Sequence, residues 1–97
     1  MSQPRSARSV MVVNPEGVHA RAATLIARTV RRFQAKVQVV KDHQRVDGTD
    51  VLQILSLGAS EGTELYLEAS GSDADDALDA LVELIRGKFG EGAEIEK

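Results

Sequence analysis

Cysteine is absent from the 97 residues, which excludes disulfides, thiolate-held metals and a cysteine nucleophile. A reducing compartment suits such a chain, and a cytoplasmic location is expected. Tryptophan is absent too, and the aromatics are limited to Phe33, Tyr66 and Phe89. Single-stranded nucleic acid is held largely by stacking on exposed aromatics, and of these three only Tyr66 falls in a strand pattern. A net charge of −3 adds no attraction for phosphate backbones, so no nucleic-acid partner is expected. No apolar run approaches the roughly 20 residues of a membrane span. The opening Met1-Ser2-Gln3-Pro4-Arg5-Ser6-Ala7-Arg8 has no apolar signal-peptide core, so direct membrane insertion is not expected either. The two histidines, His19 and His43, lie far apart and give no metal-ligand spacing. Neither a metal nor another cofactor is expected.

Charge is unevenly placed. Arg21, Arg28, Arg31, Arg32 and Lys36 fall in or after one helical pattern, whereas Asp73, Asp75, Asp76, Asp79, Glu83, Glu91, Glu94 and Glu96 crowd the last third. The basic side of the first helix could steer an acidic partner, although charge alone favours a plain solvated face. The length suits one domain with a modest core.

Residues 1–8 read as a flexible N-terminal extension, 9–90 as the domain and 91–97 as a loose acidic tail. Ser9 to Val13 reads as a strand, with Val10 and Val12 on one face. Ala23, Ile26, Ala27 and Val30 repeat at helical spacing and predict a helix from about Ala20 to Arg32, with Leu25 off that stripe and partly exposed. Lys36–Lys41 alternates as a half-buried strand, and Arg45-Val46-Asp47 closes a hairpin over the polar turn Asp42-His43-Gln44. Asp50 to Leu57 predicts a short helix capped by Thr49 or Asp50 and ended by Gly58. It is too apolar for all its side chains to face inward, which points to an exposed patch of the kind that marks docking sites or, equally, to a short amphipathic helix packed on the sheet edge. Glu64–Ser70 alternates with Leu65, Leu67 and Ala69 inward. Gly71-Ser72-Asp73 ends it and caps a last helix whose stripe is Ala74, Ala77, Leu78, Leu81 and Ile85. The order β-α-β-β-α-β-α indicates an α+β sandwich, an antiparallel or mixed four-stranded sheet with helices on one face. Pattern alone leaves the strand order open.

One stretch carries candidate chemistry: Asn14-Pro15-Glu16-Gly17-Val18-His19-Ala20-Arg21-Ala22-Ala23. Asn-Pro and Glu-Gly mark a loop between the first strand and the first helix. His19 therefore stands where a helix begins. A helix start leaves backbone N–H groups unpaired, and with the dipole these make an anion site. Arg21 adds a fork of donors suited to phosphate oxygens. The dipole disfavours an imidazolium, and a neutral ring beside an anion cradle can accept a phosphoryl group and pass it on.

These ten residues resemble the active-site signature of the HPr family, the histidine-containing phosphocarriers of the bacterial phosphoenolpyruvate:sugar phosphotransferase system, whose pattern is close to N-P-x-G-x-H-A-R-P-A. Leu55-Ser56-Leu57-Gly58-Ala59, Gly62 and Gly71-Ser72-Asp73-Ala74-Asp75-Asp76-Ala77-Leu78 resemble the family's later half, so the likeness spans roughly residues 9–86. It implies an open-faced β-sandwich, four antiparallel strands with three helices on one side. It implies a carrier rather than a free-standing catalyst, accepting from phosphorylated enzyme I and delivering to enzyme IIA domains in sugar transport. His19 would be the acceptor through Nδ1 and Arg21 would bind the phosphate. Gly17 would let the loop approach closely, and Glu16, Ala20 and Ala22 would complete the loop and helix start. Docking would use Thr24, Leu25 and Arg28 with Val51, Leu52 and Leu55. Two positions depart from the family. Ala22 replaces the proline after the arginine, which restores a backbone donor. Asp50 stands where many members have a regulatory serine; it reads as an ordinary N-cap or, alternatively, as a fixed stand-in for phosphoserine in a regulatory module that docks other proteins.

Overall fold

The computed structural model describes residues 5–91. Seven elements follow in order: β1 (Arg5–Met11), α1 (Ala20–Arg31), β2 (Lys36–Lys41), β3 (Gln44–Asp47), α2 (Val51–Ser56), β4 (Glu64–Ser70) and α3 (Ala74–Arg86), followed by a single 3-10 turn over Lys88–Gly90. The sheet runs β1-β4-β2-β3, and each neighbouring pair is antiparallel. β4, last in sequence, thus lies between β1 and β2. The helices cover one face, which makes the open-faced α+β sandwich.

The core follows from the two periodicities. Val37 and Val39 of β2 and Leu65, Leu67 and Ala69 of β4 alternate inward. Ile26 and Val30 of α1 and Leu78, Leu81 and Ile85 of α3 meet them. Each fully buried Leu, Ile or Val stabilises the fold by roughly 1.5–3 kcal/mol through apolar area removed from water. The outer sheet face stays open, with Tyr66 48% exposed.

Boundaries differ from expectation at β1 and around α3, and by one residue at β3, which begins at Gln44, and at each end of α2. β1 begins at Arg5, not Ser9, so residues 5–8 are sheet rather than loose extension. They lack the β-branched residues that announce a strand, and their place is set by pairing from Arg5↔Ser70 to Met11↔Glu64. Ser6 and Arg8 also reach α3: the Ser6 hydroxyl donates to Asp75, and the Arg8 guanidinium pairs with Asp75 and Asp79. Val12 and Val13 lie beyond the strand, although Val12 is fully buried. At α3, Asp73 occupies the N-cap position but makes no cap bond. Its carboxylate instead accepts from the N–H groups of Gln34 and Ala35, at 2.9 and 2.8 Å, and ties the α1–β2 turn to the start of α3. Past α3, Lys88 and Phe89 adopt left-handed φ of 58° and 56°, which folds the chain back so that Phe89 is buried. Of the expected acidic tail only Glu91 falls within the described residues; 92–97 lie outside them.

Candidate functional site

The loop between β1 and α1 is shaped by its own backbone. The Gly17 N–H donates to Asn14 O at 3.1 Å, closing a turn around Pro15 and Glu16. Gly17 then takes φ +67°, a conformation that L side chains rarely adopt. It passes so close to the segment after α2 that a Cβ there would stand 2.6 Å from Ala59 O. That approach lets the Val18 N–H donate to the same carbonyl at 2.9 Å, and Val18 is buried beneath the loop. The backbone that Gly17 approaches is that of Ala59–Ser60.

His19 is the N-cap of α1, with extended backbone dihedrals of −86° and −175°. Its carbonyl accepts the first helical bond from Ala23 N at 2.8 Å. Its ring accepts, through Nδ1, from the Ala22 N–H at 3.4 Å. A ring nitrogen that accepts must carry a lone pair, so the proton resides on Nε2. Nε2 faces Glu91 and donates to its Oε2. Glu91 is held in turn by Asn14, whose fully buried Nδ2 donates to Glu91 Oε1 at 3.1 Å and to Gly17 O at 2.8 Å. The His19 hydrogen bond, with a second from Asn14 and the positive charge of Arg21, holds the Glu91 carboxyl below its ordinary pKa against the opposing effect of desolvation.

The ring is thus gripped at both nitrogens and still 27% exposed. Glu16 Oε1 lies 4.0 Å from Nε2, beyond hydrogen-bond reach, on an exposed side chain. Arg21, the second residue of α1, is exposed, its charge acts on the Glu91 carboxylate, and among the described residues no hydrogen bond or ion pair engages its guanidinium. Ala20 is exposed at the first helical position and Ala22 is buried. The first turn of α1 itself contains no acidic residue; the carboxylates nearest the helix start come from Glu16 and Glu91. Glu16, His19 and Glu91 together offer three ligand atoms within 4.8 Å of one another. Arg21 beside them opposes a cation, and Nε2 is already engaged by Glu91. The arrangement sets a ring nitrogen that accepts a hydrogen bond at the start of a helix, with the ring still partly open to solvent.

The second set of expected residues lies along α1 and α2, which pack together. Arg28 is exposed, whereas Thr24 and Leu25 are half-buried. On α2, Ile54 is buried, with Leu57 just past the helix end; Val51 and Leu55 are half-buried, and Leu52 is 77% exposed. Leu52 is thus the one strongly exposed apolar side chain on α2 among the described residues. Asp50 caps α2, its carboxylate accepting from Gln53 N at 3.0 Å. His43 is exposed at the β2–β3 turn, away from the site. Sequence reasoning missed Glu91, which it assigned to a loose tail. The available signal was the lone aromatic Phe89 in a polar stretch, an anchor that fixes the chain two residues before Glu91.

A small open-faced sandwich that presents a half-exposed histidine at a helix start has the architecture of a phosphocarrier. Comparison with known proteins makes this specific. The family model for the PTS HPr component phosphorylation site matches residues 6–87. The phosphocarrier protein HPr of Neisseria meningitidis serogroup A is 39% identical over 85 residues, covering 88% of this chain and 96% of the relative. The HPr of Pseudomonas aeruginosa is 38% identical over 87 residues, covering 89% and 97%. Among solved structures, HPr-C-His from Thermoanaerobacter tengcongensis superposes with a TM-score of 0.85 at 38% identity, over 89% of this chain and 97% of that one. The chain belongs to the HPr family, the phosphocarriers of the phosphotransferase system.

Proposed function

We propose that His19 is the phosphoryl acceptor and that Arg21 and the α1 start bind the phosphate. The single observation that carries this reading is the direction of Nδ1. Its lone pair points at the opening turn of α1, where the Ala22 N–H now sits at 3.4 Å. Attack by this lone pair on the phosphorus of phosphorylated enzyme I forms an Nδ1–P bond and breaks the bond to the donor. The oxygens then meet the free N–H groups of the helix start and the Arg21 guanidinium. Delivery to an enzyme IIA-type acceptor reverses these steps, and no proton need leave Nε2. The long Ala22 bond costs little to give up, and its N–H then becomes a donor to the phosphate that the family's proline cannot supply.

Docking falls on Thr24, Leu25 and Arg28 of α1 and on Val51, Leu52 and Leu55 of α2. An exposed apolar centre beside basic side chains suits acidic partners with an apolar contact, as enzyme I and the IIA-type acceptors would be. Such exchange between soluble proteins suits the cytoplasm. The regulatory alternative, in which Asp50 stands for phosphoserine, has less support, because that carboxylate is committed to capping α2.

Incubation with phosphoenolpyruvate and enzyme I should place one acid-labile phosphoryl group on the chain, and His19→Ala should carry none. Equal labelling of the variant refutes the assignment. Partner binding that survives His19→Ala but is lost on Asp50→Ser would favour the regulatory reading.

A further inference from the structure

We propose that Glu91 is a positioning residue of this site: it locks the His19 ring with the proton on Nε2 and balances the charge that phosphorylation places on the ring. The inference rests on the carrier reading above and extends it to a residue outside the signature.

Four observations carry it. Glu91 accepts from His19 Nε2, while Nδ1 accepts from the Ala22 N–H, so both nitrogens have partners that agree on one tautomer. The carboxylate is itself oriented, because Asn14 donates to its other oxygen and is fully buried. Its backbone is fixed as well: Glu91 N donates to Lys88 O at 2.9 Å, and Phe89 is 2% exposed in the core. Finally, the Glu91 side chain is 22% exposed against 77% for Glu16, so of the two carboxylates near the ring Glu91 is the sheltered one.

The chemistry requires such a group. A neutral imidazole that uses its Nδ1 lone pair to bond phosphorus keeps the Nε2 proton, and the ring becomes cationic. A carboxylate already hydrogen-bonded to that N–H meets the new charge without reorganisation. On delivery the Nδ1–P bond breaks, its electron pair returns to Nδ1, and the ring is again neutral with Nε2–H. A ring protonated on Nδ1 instead would have no lone pair to offer. The role is thus the one that an oriented acid plays toward a catalytic imidazole generally: it fixes the tautomer and does not take the proton.

Glu91→Gln tests this nearly isosterically. A glutamine has one accepting oxygen for two donors, the Asn14 amide and the ring N–H, so it cannot satisfy the wild-type pattern. Nitrogen-15 NMR of the unphosphorylated chain should show the Nε2–H tautomer in wild type and a marked loss of it in Glu91→Gln. Glu91→Ala, which leaves the ring no partner at Nε2, should also move the ring signals, with the backbone amide spectrum checking that both variants fold. With phosphoenolpyruvate and enzyme I, Glu91→Gln should be phosphorylated about tenfold more slowly, the effect of losing one charge-assisted hydrogen bond. Ring signals unchanged in both folded variants overturn the proposal, as do altered ring signals with wild-type transfer rates. A wild-type chain that takes no phosphoryl group refutes the carrier reading instead, because the tautomer measurement needs no donor protein.

Discussion

Gly17→Ala tests whether the loop's approach to Ala59 is what aims His19. Three costs can be read from the geometry. At φ +67° an L residue is disfavoured by about 1 kcal/mol or more. The new Cβ would stand 2.6 Å from Ala59 O and 2.9 Å from Ser60 Cα, both under the 3.0 Å floor of such contacts, so the two backbones must separate by 0.4 Å or more. That separation strains or breaks the 2.9 Å bond from Val18 N to Ala59 O, for about another 1 kcal/mol. Together these give roughly 2–4 kcal/mol, hence a fall of about 10–25 °C in the unfolding midpoint of a domain this size.

The consequence for the site is separable from the loss of stability. His19 is two residues beyond Gly17, and its N–H donates to Gly17 O at 3.1 Å. A displacement of this kind should reduce phosphoryl acceptance about 10–100-fold at a temperature where the variant is still folded. Gly58→Ala is the control: its φ is +62°, yet a Cβ there meets nothing within 4 Å. It bears only the conformational cost of about 1 kcal/mol and should transfer at the wild-type rate. Thermal unfolding by circular dichroism and initial rates with enzyme I measure the two effects. If Gly17→Ala unfolds no earlier than Gly58→Ala, the close approach is not the source of the cost. If it is destabilised yet transfers at the wild-type rate, the loop does not aim the ring.

Two further outcomes are expected. Phe89→Ala should destabilise the fold by about 3–5 kcal/mol, since a fully buried ring leaves a cavity. It should also shift the His19 ring signals by releasing Glu91, and a midpoint within about 3 °C of wild type would show that the turn does not anchor the core. The pH dependence has a definite sign. Glu91 titrates below its ordinary 4.5 in the folded chain, chiefly because His19 donates to it, so the folded state binds fewer protons than the unfolded state in that range. The contact therefore stabilises fully above pH ~4.5 and is lost as the pH falls through the lower folded value. The unfolding midpoint of wild type should drop more steeply with acid there than that of Glu91→Gln, and parallel curves would deny Glu91 any part in the acid response.

The elements legible in the sequence were those whose pattern reports burial directly. β4 and β2 alternate because one face is in the core, and the α1 and α3 stripes repeat because one side is. β1 was displaced because its first half is Arg5-Ser6-Ala7-Arg8, at the sheet edge, where polar side chains reach Asp75 and Asp79 instead of an apolar core. The Asp73 carboxylate is at the cap position that the sequence indicated but serves the neighbouring turn, a choice made by tertiary proximity. The loop, the place of His19 at a helix start and the apolar excess of α2 were readable from local chemistry. Glu91 was not: its partner is 72 residues away, and two left-handed residues fold the chain back between α3 and the site.

That distance is also why the site reports on the whole fold. Nδ1 of His19 is held by its own helix, over three residues of sequence, and forms whenever α1 forms. Nε2 is held only when Phe89 is seated beneath α3 and Asn14 is buried under the loop, which requires the sheet and the last helix to be in place. The two nitrogens therefore answer to different levels of structure, one local and one global. A chain in which the C-terminal turn has opened keeps its capped helix and its signature intact but frees the Nε2 side of the ring. Ring orientation should then fail before α1 unfolds, so on heating the His19 side-chain signals should change at a lower temperature than the helical signal. Coincident transitions would mean that the turn and the core open as one unit.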